Sequence, residues 1–474
     1  MQNKVVDISK KTFINVMIIL LSLLVFSIVL TYIIPKGKFF EEIIDGEVII
    51  HYDQYLEIDD AKGINILKGI FAPILVLFSH DGLTIIMLSL FIVTITGAFQ
   101  VMNDCNGMKL IIQKLIDKFI NNKKLLISLI ILIFMMFGSF FGLFEEVLIL
   151  LPLIMMLTIS IGYDSYTGFL ICIVATGFGF SSALTNPFTV ITASQLIGVS
   201  PLTNFWYRII IFVMMYGLLV LFTLHHLSVI EKSPEKSPTY QKDLEKKKVL
   251  NLEIYENNGS NQRTFIAYVI FLVTILATII TVTLIEAIRG YIVVFLIVIS
   301  LFGGILTGYI ASRNIKDVLK SFLKGIVSAI PAIAMIMVAS SIKFILEEAS
   351  VLPTIANYIS VLVYGKNQFV VLLLLFLIII VLEFFISSST AKAVFVMGIL
   401  SCVSINISKE MLVLVYLFGD GYTNVLFPTS PVLLIALTMT GINYTTWLKK
   451  SKWLFVITFV LVMAFLLIGL LLKY

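Results

Sequence analysis

Runs of about 20 apolar residues recur along this chain, and a helix of that length crosses a ~30 Å hydrocarbon layer. Hydrocarbon offers no water to a backbone N–H or C=O, so a spanning segment must satisfy its own hydrogen bonds, as a helix does. Of the 474 residues, 59% are hydrophobic and only 13% charged. That balance, with these runs, predicts an all-α polytopic membrane protein. The net charge of +5 is small, and the excess Lys lies between the apolar runs. It therefore reports membrane topology rather than nucleic-acid binding. Cys105, Cys172 and Cys402 are odd in number, far apart and without a CxxC. Neither a disulfide framework nor a zinc site is expected, and no cofactor is implied. The paired His225-His226 has no partner motif and fits a headgroup-level span end.

One stretch breaks the apolar pattern more sharply than any other: Gly419-Asp-Gly-Tyr-Thr-Asn-Val-Leu-Phe-Pro-Thr-Ser-Pro431. It carries an acid, an amide, hydroxyls, two glycines and two prolines. Broken backbone at membrane depth survives only inside protein or along a water-filled cavity. An intramembrane Asp costs about 2.5–3.5 kcal/mol on insertion scales, which makes Asp420 a candidate for function. The stretch has an echo in Gly177-Phe-Gly-Phe-Ser-Ser-Ala-Leu-Thr-Asn-Pro-Phe-Thr-Val190. With Gly177 set on Gly419, Gly179 falls on Gly421, Ser181 on Thr423, Leu184 on Leu426 and Val190 on Val432. Each copy then runs to a Gly and a Trp, Gly198 with Trp206 and Gly441 with Trp447. Upstream lies a second polar interruption, Gly138-Ser139 with Glu145-Glu146 in one half and Ser387 to Lys392 in the other. Interrupted hydrophobic segments at corresponding places in two halves point to a transporter binding site.

The chain divides into a first half, 1–226, a linker, 227–264, and a second half, 265–474. Phe13 to Ile34 is too long for a signal-peptide core and reads as a retained first span, with Lys4, Lys10 and Lys11 placing the N-terminus in the cytoplasm. Residues 35–64 are acidic, suit an outside loop, and have the alternation of a small β-hairpin. Residues 65–80 are amphipathic and expected to lie on the membrane. Leu83 to Met102 returns inward, and Lys109 to Lys124 forms an amphipathic interfacial helix. Residues 125–158 are apolar but broken at Gly138-Ser139, Gly142 and Glu145-Glu146. Two arms of about 14 residues fall short of the bilayer thickness, which predicts a re-entrant hairpin, with one long kinked span as the alternative. Tyr166 to Val199 is a broken span, and Phe205 to Leu224 returns to the cytoplasm. The Lys-, Glu-, Ser- and Pro-rich linker is expected to be cytoplasmic and flexible.

The second half begins with spans at 265–287 and 291–310, the latter with Gly304-xxx-Gly308 suited to close helix packing. A basic loop with Arg313, Lys316, Lys320 and Lys324 leads to a span from Ile326 to Leu346. A second hairpin, about 370–405, enters from the opposite face. Met411 to Thr440 holds the opening motif, and Leu454 to Leu472 closes the chain. Under this path every Lys-rich loop lies on one side, and the halves form two inverted-topology repeats.

Ser, Thr and Asn beside helix breaks can ligate Na⁺ or hydrogen-bond a substrate, and half-helix ends present N–H groups to anions and carbonyls to cations. In spans, single Ser and Thr residues are more often packing residues. Glu145 and Glu146 are adjacent and face different ways on a helical arm. Glu383 and Asp420 can each pair with Lys392 as a purely structural ion pair. Acids (Glu145, Glu146, Glu383, Asp420) outnumber Lys392, which favours a cationic ligand, a coupling cation or protons. Lys392 leaves room for a carboxylate, so the set suits an amino acid, particularly a basic one. Ser389-Thr-Ala-Lys392 fits S-x-x-K, but no KTG or SDN companion exists and the motif lies between apolar runs, so an enzyme is not expected. A channel also uses carbonyl and acidic rings; the paired hairpins favour a carrier.

Gly138-Ser-Phe-Phe-Gly-Leu-Phe-Glu-Glu146, Gly162-Tyr-Asp-Ser165, Thr185-Asn-Pro-Phe-Thr189, Ser387-Ser-Ser-Thr-Ala-Lys-Ala393 and Gly419-Asp-Gly-Tyr-Thr-Asn424 with Pro428-Thr-Ser430 together resemble the YfcC/ArcD-type basic amino acid antiporters. That family is related to the anaerobic C4-dicarboxylate carriers of the ion transporter superfamily. The resemblance covers nearly the whole chain and is weakest at 35–64 and 230–262. It implies inverted repeats, two re-entrant hairpins, a scaffold, an elevator-type transport subdomain and a homodimer in the bacterial inner membrane. It also implies a substrate site at Ser139, Asn186, Thr189, Ser387, Ser388, Ser389, Asn424 and Thr429, to which the residue reading adds Glu145, Glu146, Lys392 and Asp420. The expected function is amino acid transport, of arginine/ornithine-exchange type. The alternative is a Na⁺- or H⁺-coupled carrier of C4-dicarboxylates or other small carboxylates.

Overall fold

The structure, a computed structural model, describes residues 10–44, 47–58, 63–79, 82–111, 114, 122–249, 259–363, 365–386, 389, 392–393, 396–397 and 407–474. It is a helical protein. Among the described residues, eight helices are long and apolar enough to cross a membrane.

The helices form two packed groups that cut across the sequence halves. The first group takes the early part of each half: α1 (Lys10–Ile33), α2 (Gly82–Asp104), α9 (Gly259–Leu284), α10 (Ile292–Ser312) and α11 (Ile315–Glu348), with α11 lying along α2 and α1. The expected small-residue contact is here. A Cβ on Gly308 would lie 2.3 Å from Val101 of α2, so only glycine lets α10 approach this closely. The sequence places Lys316, Lys320 and Lys324 in a loop; instead they ride on the first turns of α11, which starts at Ile315 because Asn314 caps it by accepting from Lys316 N at 3.1 Å. A short Ser and Asn cap suffices for a sharp turn, so the basic residues need no loop.

The acidic segment after α1 forms the expected hairpin, β1 (Gly37–Ile44) antiparallel to β2 (Glu47–Glu57). Tyr55 of β2 shares a hydrogen bond with Thr354 of α12 (Leu352–Val363) at 3.0 Å. Lys68 and Glu348 form an ion pair on the same side. The expected interfacial helix at 109–124 falls largely outside the described residues.

The second group holds α3 (Lys123–Phe141), α4 (Leu151–Ser160), α5 (Ser165–Ser181), α6 (Pro187–Ile197), α7 (Phe205–Lys232), α13 (Gln368–Phe385), α14 (Lys409–Gly421), α15 (Pro431–Thr440) and α16 (Tyr444–Leu471). Segment 125–158 is two arms around an irregular stretch. Lys123 Nζ at the start of α3 donates to Ile161 O just after α4, at 2.7 Å, so the chain comes back to where it entered. The first arm is longer than its sequence suggests. A π-helical turn, Phe137–Phe141, carries α3 past Gly138-Ser139 to a length of 19 residues, and Gly142 ends it at φ +71°. Of the second expected hairpin, the described residues cover α13 and only isolated positions beyond it.

The linker is the clearest correction. Residues 227–249 are not a loose tether. Helix α7 continues to Lys232, and α8 (Tyr240–Val249) docks on the second group. The polar side chains that make the segment look unstructured are used as hydrogen-bonding groups. Asp243 accepts from Ser165 N at 2.9 Å, from Ser165 Oγ at 2.5 Å and from Thr239 Oγ1 at 2.6 Å. Asp164 meets His226 Nε2 at 2.9 Å and accepts from Ser237 Oγ at 2.6 Å. The neighbouring Lys242 donates to Gly441 O at 2.7 Å, beyond the end of α15. Adjacent residues of one helix thus place an acid at the positive N-terminal end of α5 and a cation at the negative C-terminal end of α15.

Burial alone would raise the Asp164 carboxyl, but the bonds from His226, Ser237 and Thr167 outweigh it and hold it below the ordinary 3.8. Its stabilisation is therefore present above the ordinary carboxylate range and lost as pH falls through the lowered value. Asp243→Asn is expected to cost about 1–3 kcal/mol locally, because Ser165 N, Ser165 Oγ and Thr239 can no longer all be served. Faster tryptic cleavage at Lys242 or Lys246 would register it, and an unchanged cleavage rate would count against the brace.

Candidate functional site

Two broken helices cross at the centre of the second group. The first is α5 and α6, and the second is α14 and α15. Their directions are opposed. Lys242 and Asp243 tie the start of α5 to the end of α15. At the other face the end of α6, at Gly198, lies beside Lys409 at the start of α14. The restart of each broken helix is built alike. Pro187 and Pro431 stand at the first helical position, where a missing N–H is harmless. Asn186 Oδ1 accepts from Phe188 N at 2.9 Å, and Ser430 Oγ from Leu433 N at 3.4 Å. Gly198 and Gly441 close both helices in the left-handed conformation.

Several of the groups freed by the breaks are satisfied by protein. In the first break Leu184 N and Thr185 N donate to Ser139 O at 3.0 and 3.2 Å, and Ser139 Oγ donates to Ser182 O at 2.9 Å. Asn186 Nδ2 donates to Gly138 O at 3.0 Å. Ser139 and Asn186 therefore stitch the end of α3 to the first break. In the second break Trp447 Nε1 donates to Val425 O at 2.8 Å and Tyr444 OH to Leu426 O at 2.9 Å, both from α16. Every such pairing avoids leaving a polar backbone group bare in an apolar interior. The echo fails at the tryptophans: Trp447 is fully buried in this role, whereas Trp206 is 50% exposed on the outer side of α7.

Asp420 sits on the last turn of α14 and is fully buried. Its Oδ1 lies 2.9 Å from Lys392 Nζ, and its Oδ2 accepts from Ser389 Oγ at 3.0 Å. Lys392 is also fully buried and pairs with Glu383, near the end of α13, as well as with Asp420. Both ion pairs that the sequence allows are thus formed at once. Tyr416, one turn before Asp420, places its hydroxyl between Ser389 O and Asp420 Oδ1. Asn424 Nδ2 donates to Asp420 O at 2.9 Å, fixing the turn after the acid.

The two breaks touch. A Cβ on Gly421 would lie 2.2 Å from both Ser181 N and Cα, and one on Gly177 would lie 2.6 Å from a methyl of Val425. Phe144 packs on Phe180 with ring centroids 5.7 Å apart, which sets the Phe144-Glu145-Glu146 stretch beside the same crossing. Glu146 is buried and Glu145 half-buried. Among the described residues neither has a basic group within ion-pair distance. Thr189 is buried with its Oγ1 free of any hydrogen-bond partner among them, an open polar group at the start of α6. Thr429 is buried beside Pro428. Ser387 and Ser388 lie outside the described residues. No group of three or more His, Cys, Asp or Glu among the described residues is placed to hold a metal ion.

The site therefore unites Ser389, Lys392, Asp420 and Asn424 with Glu383, while Ser139 and Asn186 each tie the end of α3 to the first break. Tyr416 is the residue that the motifs miss. Its signal was its spacing, since a residue four before an acid shares its helix face.

Residues 13–471 match the family model described as DcuC, C4-dicarboxylate anaerobic carrier. The protein named "Putative basic amino acid antiporter YfcC" from Escherichia coli (strain K12) is 25% identical over 405 residues, spanning 82% of this chain and 80% of that one. The YdaH transporter of Alcanivorax borkumensis aligns over 96% of this chain and 98% of its own, at 14% identity and a TM-score of 0.42. MtrF of Neisseria gonorrhoeae aligns over 95% and 94%, at 16% identity and a TM-score of 0.43. With a family match over almost the whole length, a curated relative spanning four-fifths of it and, among the described residues, eight helices able to span a bilayer, this chain is a multi-pass membrane transporter that belongs to the C4-dicarboxylate anaerobic carrier family.

Proposed function

We propose that the chain exchanges basic amino acids, arginine for ornithine or a close relative, across the bacterial inner membrane. The observation that carries this reading is the charge balance at the crossing. Lys392, the base of the cluster, is held by two acids, Glu383 and Asp420, while Glu145 and Glu146 face no base among the described residues. A site with this surplus of carboxylates favours a ligand that brings positive charge. The ligand's own carboxylate meets the N-termini of α6 and α15, which start at the breaks. The name of the Escherichia coli relative agrees with this substrate class, and the family name keeps carboxylate transport as the rival.

The same reading takes the halves as inverted repeats, which the opposed directions of α5–α6 and α14–α15 support. It takes 125–158 as a re-entrant hairpin, which the Lys123–Ile161 contact supports. The second helix group then moves as the elevator against the first, in a homodimer. The Lys-rich face, where Lys450 reaches Lys236 and Lys124 pairs with Glu231, is the cytoplasmic one, and the N-terminus lies on it.

Counterflow in proteoliposomes tests the function. Vesicles preloaded with ornithine should take up labelled arginine without a Na⁺ gradient, and Asp420→Asn should lower that uptake at least tenfold. No arginine entry, with ion-driven entry of succinate instead, would replace this reading with the carboxylate carrier.

A further inference from the structure

Helices α9 and α10 form an open groove of about 420 Å³ on the outer wall of the first group, lined by Gln262, Arg263, Ile266, Ala267, Ile270 and Ile310. It lies at the first turns of one candidate span and the last turn of another, so it sits at a membrane surface rather than at mid-depth. Ile310 comes three residues before Arg313, the capping residue of α10, which sets this end of α10 on the basic face. The lining is divided by chemistry. Gln262 and Arg263 form a polar end. Ile266 and Ile270, one and two turns further along α9, form an apolar wall and are 47% and 59% exposed. Arg263 Nε is buried without a hydrogen-bond partner among the described residues, and Arg263 makes no ion pair there. Arg263 as a whole is half-buried and lines the groove, so its guanidinium can meet an acceptor that enters there.

We infer that this groove binds the headgroup of an anionic phospholipid. The Arg263 fork matches phosphate oxygens in geometry and charge. The first methylenes of the acyl chains lie along Ile266 and Ile270, which continue the site into the apolar part of the span. A free anion would use only the polar end and leave that wall uncovered. A zwitterionic lipid would bring a cationic group next to Arg263. Basic pockets between spans on the Lys-rich side of a membrane protein recognise anionic headgroups on the same physical grounds.

Native mass spectrometry of the full-length chain in neutral detergent reads the site. Phosphatidylglycerol and phosphatidylcholine with identical acyl chains are titrated separately, with inorganic phosphate as the free-anion probe. The expected result is a phosphatidylglycerol adduct that Arg263→Gln weakens about fivefold, the worth of one arginine at a charged surface. Ile270→Trp, which fills the apolar wall from an exposed position, should weaken it as well, and it decides the matter if Arg263→Gln does not fold. Equal binding of the two lipids, displacement of the lipid by phosphate at equal concentration, or no effect of either variant would overturn the assignment. So would a disulfide between two copies through Ile266→Cys, which would put a second copy of the chain on this wall.

Discussion

Lys392→Met is expected to destabilise the folded protein by about 3–5 kcal/mol and to abolish transport. Met keeps the length of the apolar stem but removes the charge that Glu383 and Asp420 share. Two buried carboxylates then stand close together with no base between them, each desolvated and each repelling the other. Asp420 keeps its bonds from Ser389 and Tyr416, but neutral donors do not replace an ammonium. Thermal unfolding in detergent, followed by intrinsic fluorescence, gives the stability loss. The triple variant Lys392→Met, Glu383→Gln, Asp420→Asn removes all three charges and should recover much of the stability while transport stays absent. Such a recovery is the coupling expected of residues in one network. A single variant as stable as the natural chain would show that the three side chains do not form the buried cluster described above.

Gly421→Val should prevent folding altogether. Backbone atoms of Ser181 lie 2.2 Å from where the new Cβ would be, so no rotamer change relieves the clash. The two broken helices would have to move apart, opening the breaks and undoing the pairings around Ser139 and Trp447. A cost beyond about 4 kcal/mol belongs to this kind of overpacking. Gly217→Val is the matched control, since nothing lies within 4 Å of its Cβ position on α7. Monodispersity of a fluorescent fusion in size-exclusion chromatography separates the two outcomes. A monodisperse Gly421→Val protein with normal transport would mean that the helices do not cross there.

Much of this architecture follows from local rules. Apolar run length sets the spans, because a helix of about 20 residues is what hydrocarbon permits. Asn-Pro and Ser-Pro mark the restarts, because proline cannot continue the first helix and suits the first turn of the next. Of the echo's paired glycines, Gly421 marks the crossing, because only a missing Cβ lets its backbone touch that of Ser181, while Gly179 packs on Met135 of α3 and Gly419 on Ile379 of α13. Local rules mislead where a side chain's partner is far away in sequence. The composition of 227–249 reads as a loose tether, yet Asp243 serves Ser165 and Lys242 serves Gly441. The echo pairs Trp206 with Trp447, yet one faces outward and the other fills a break.

The membrane class, the two breaks and the surplus of acids within apolar runs are legible from residue types alone, since these depend on the cost of moving each residue type from water into hydrocarbon. That Lys392 is shared by Glu383 and Asp420, that Tyr416 joins them and that Ser139 closes the first break depends instead on how distant segments pack. A buried charge must find a partner somewhere, and which partner it finds depends on how the helices cross.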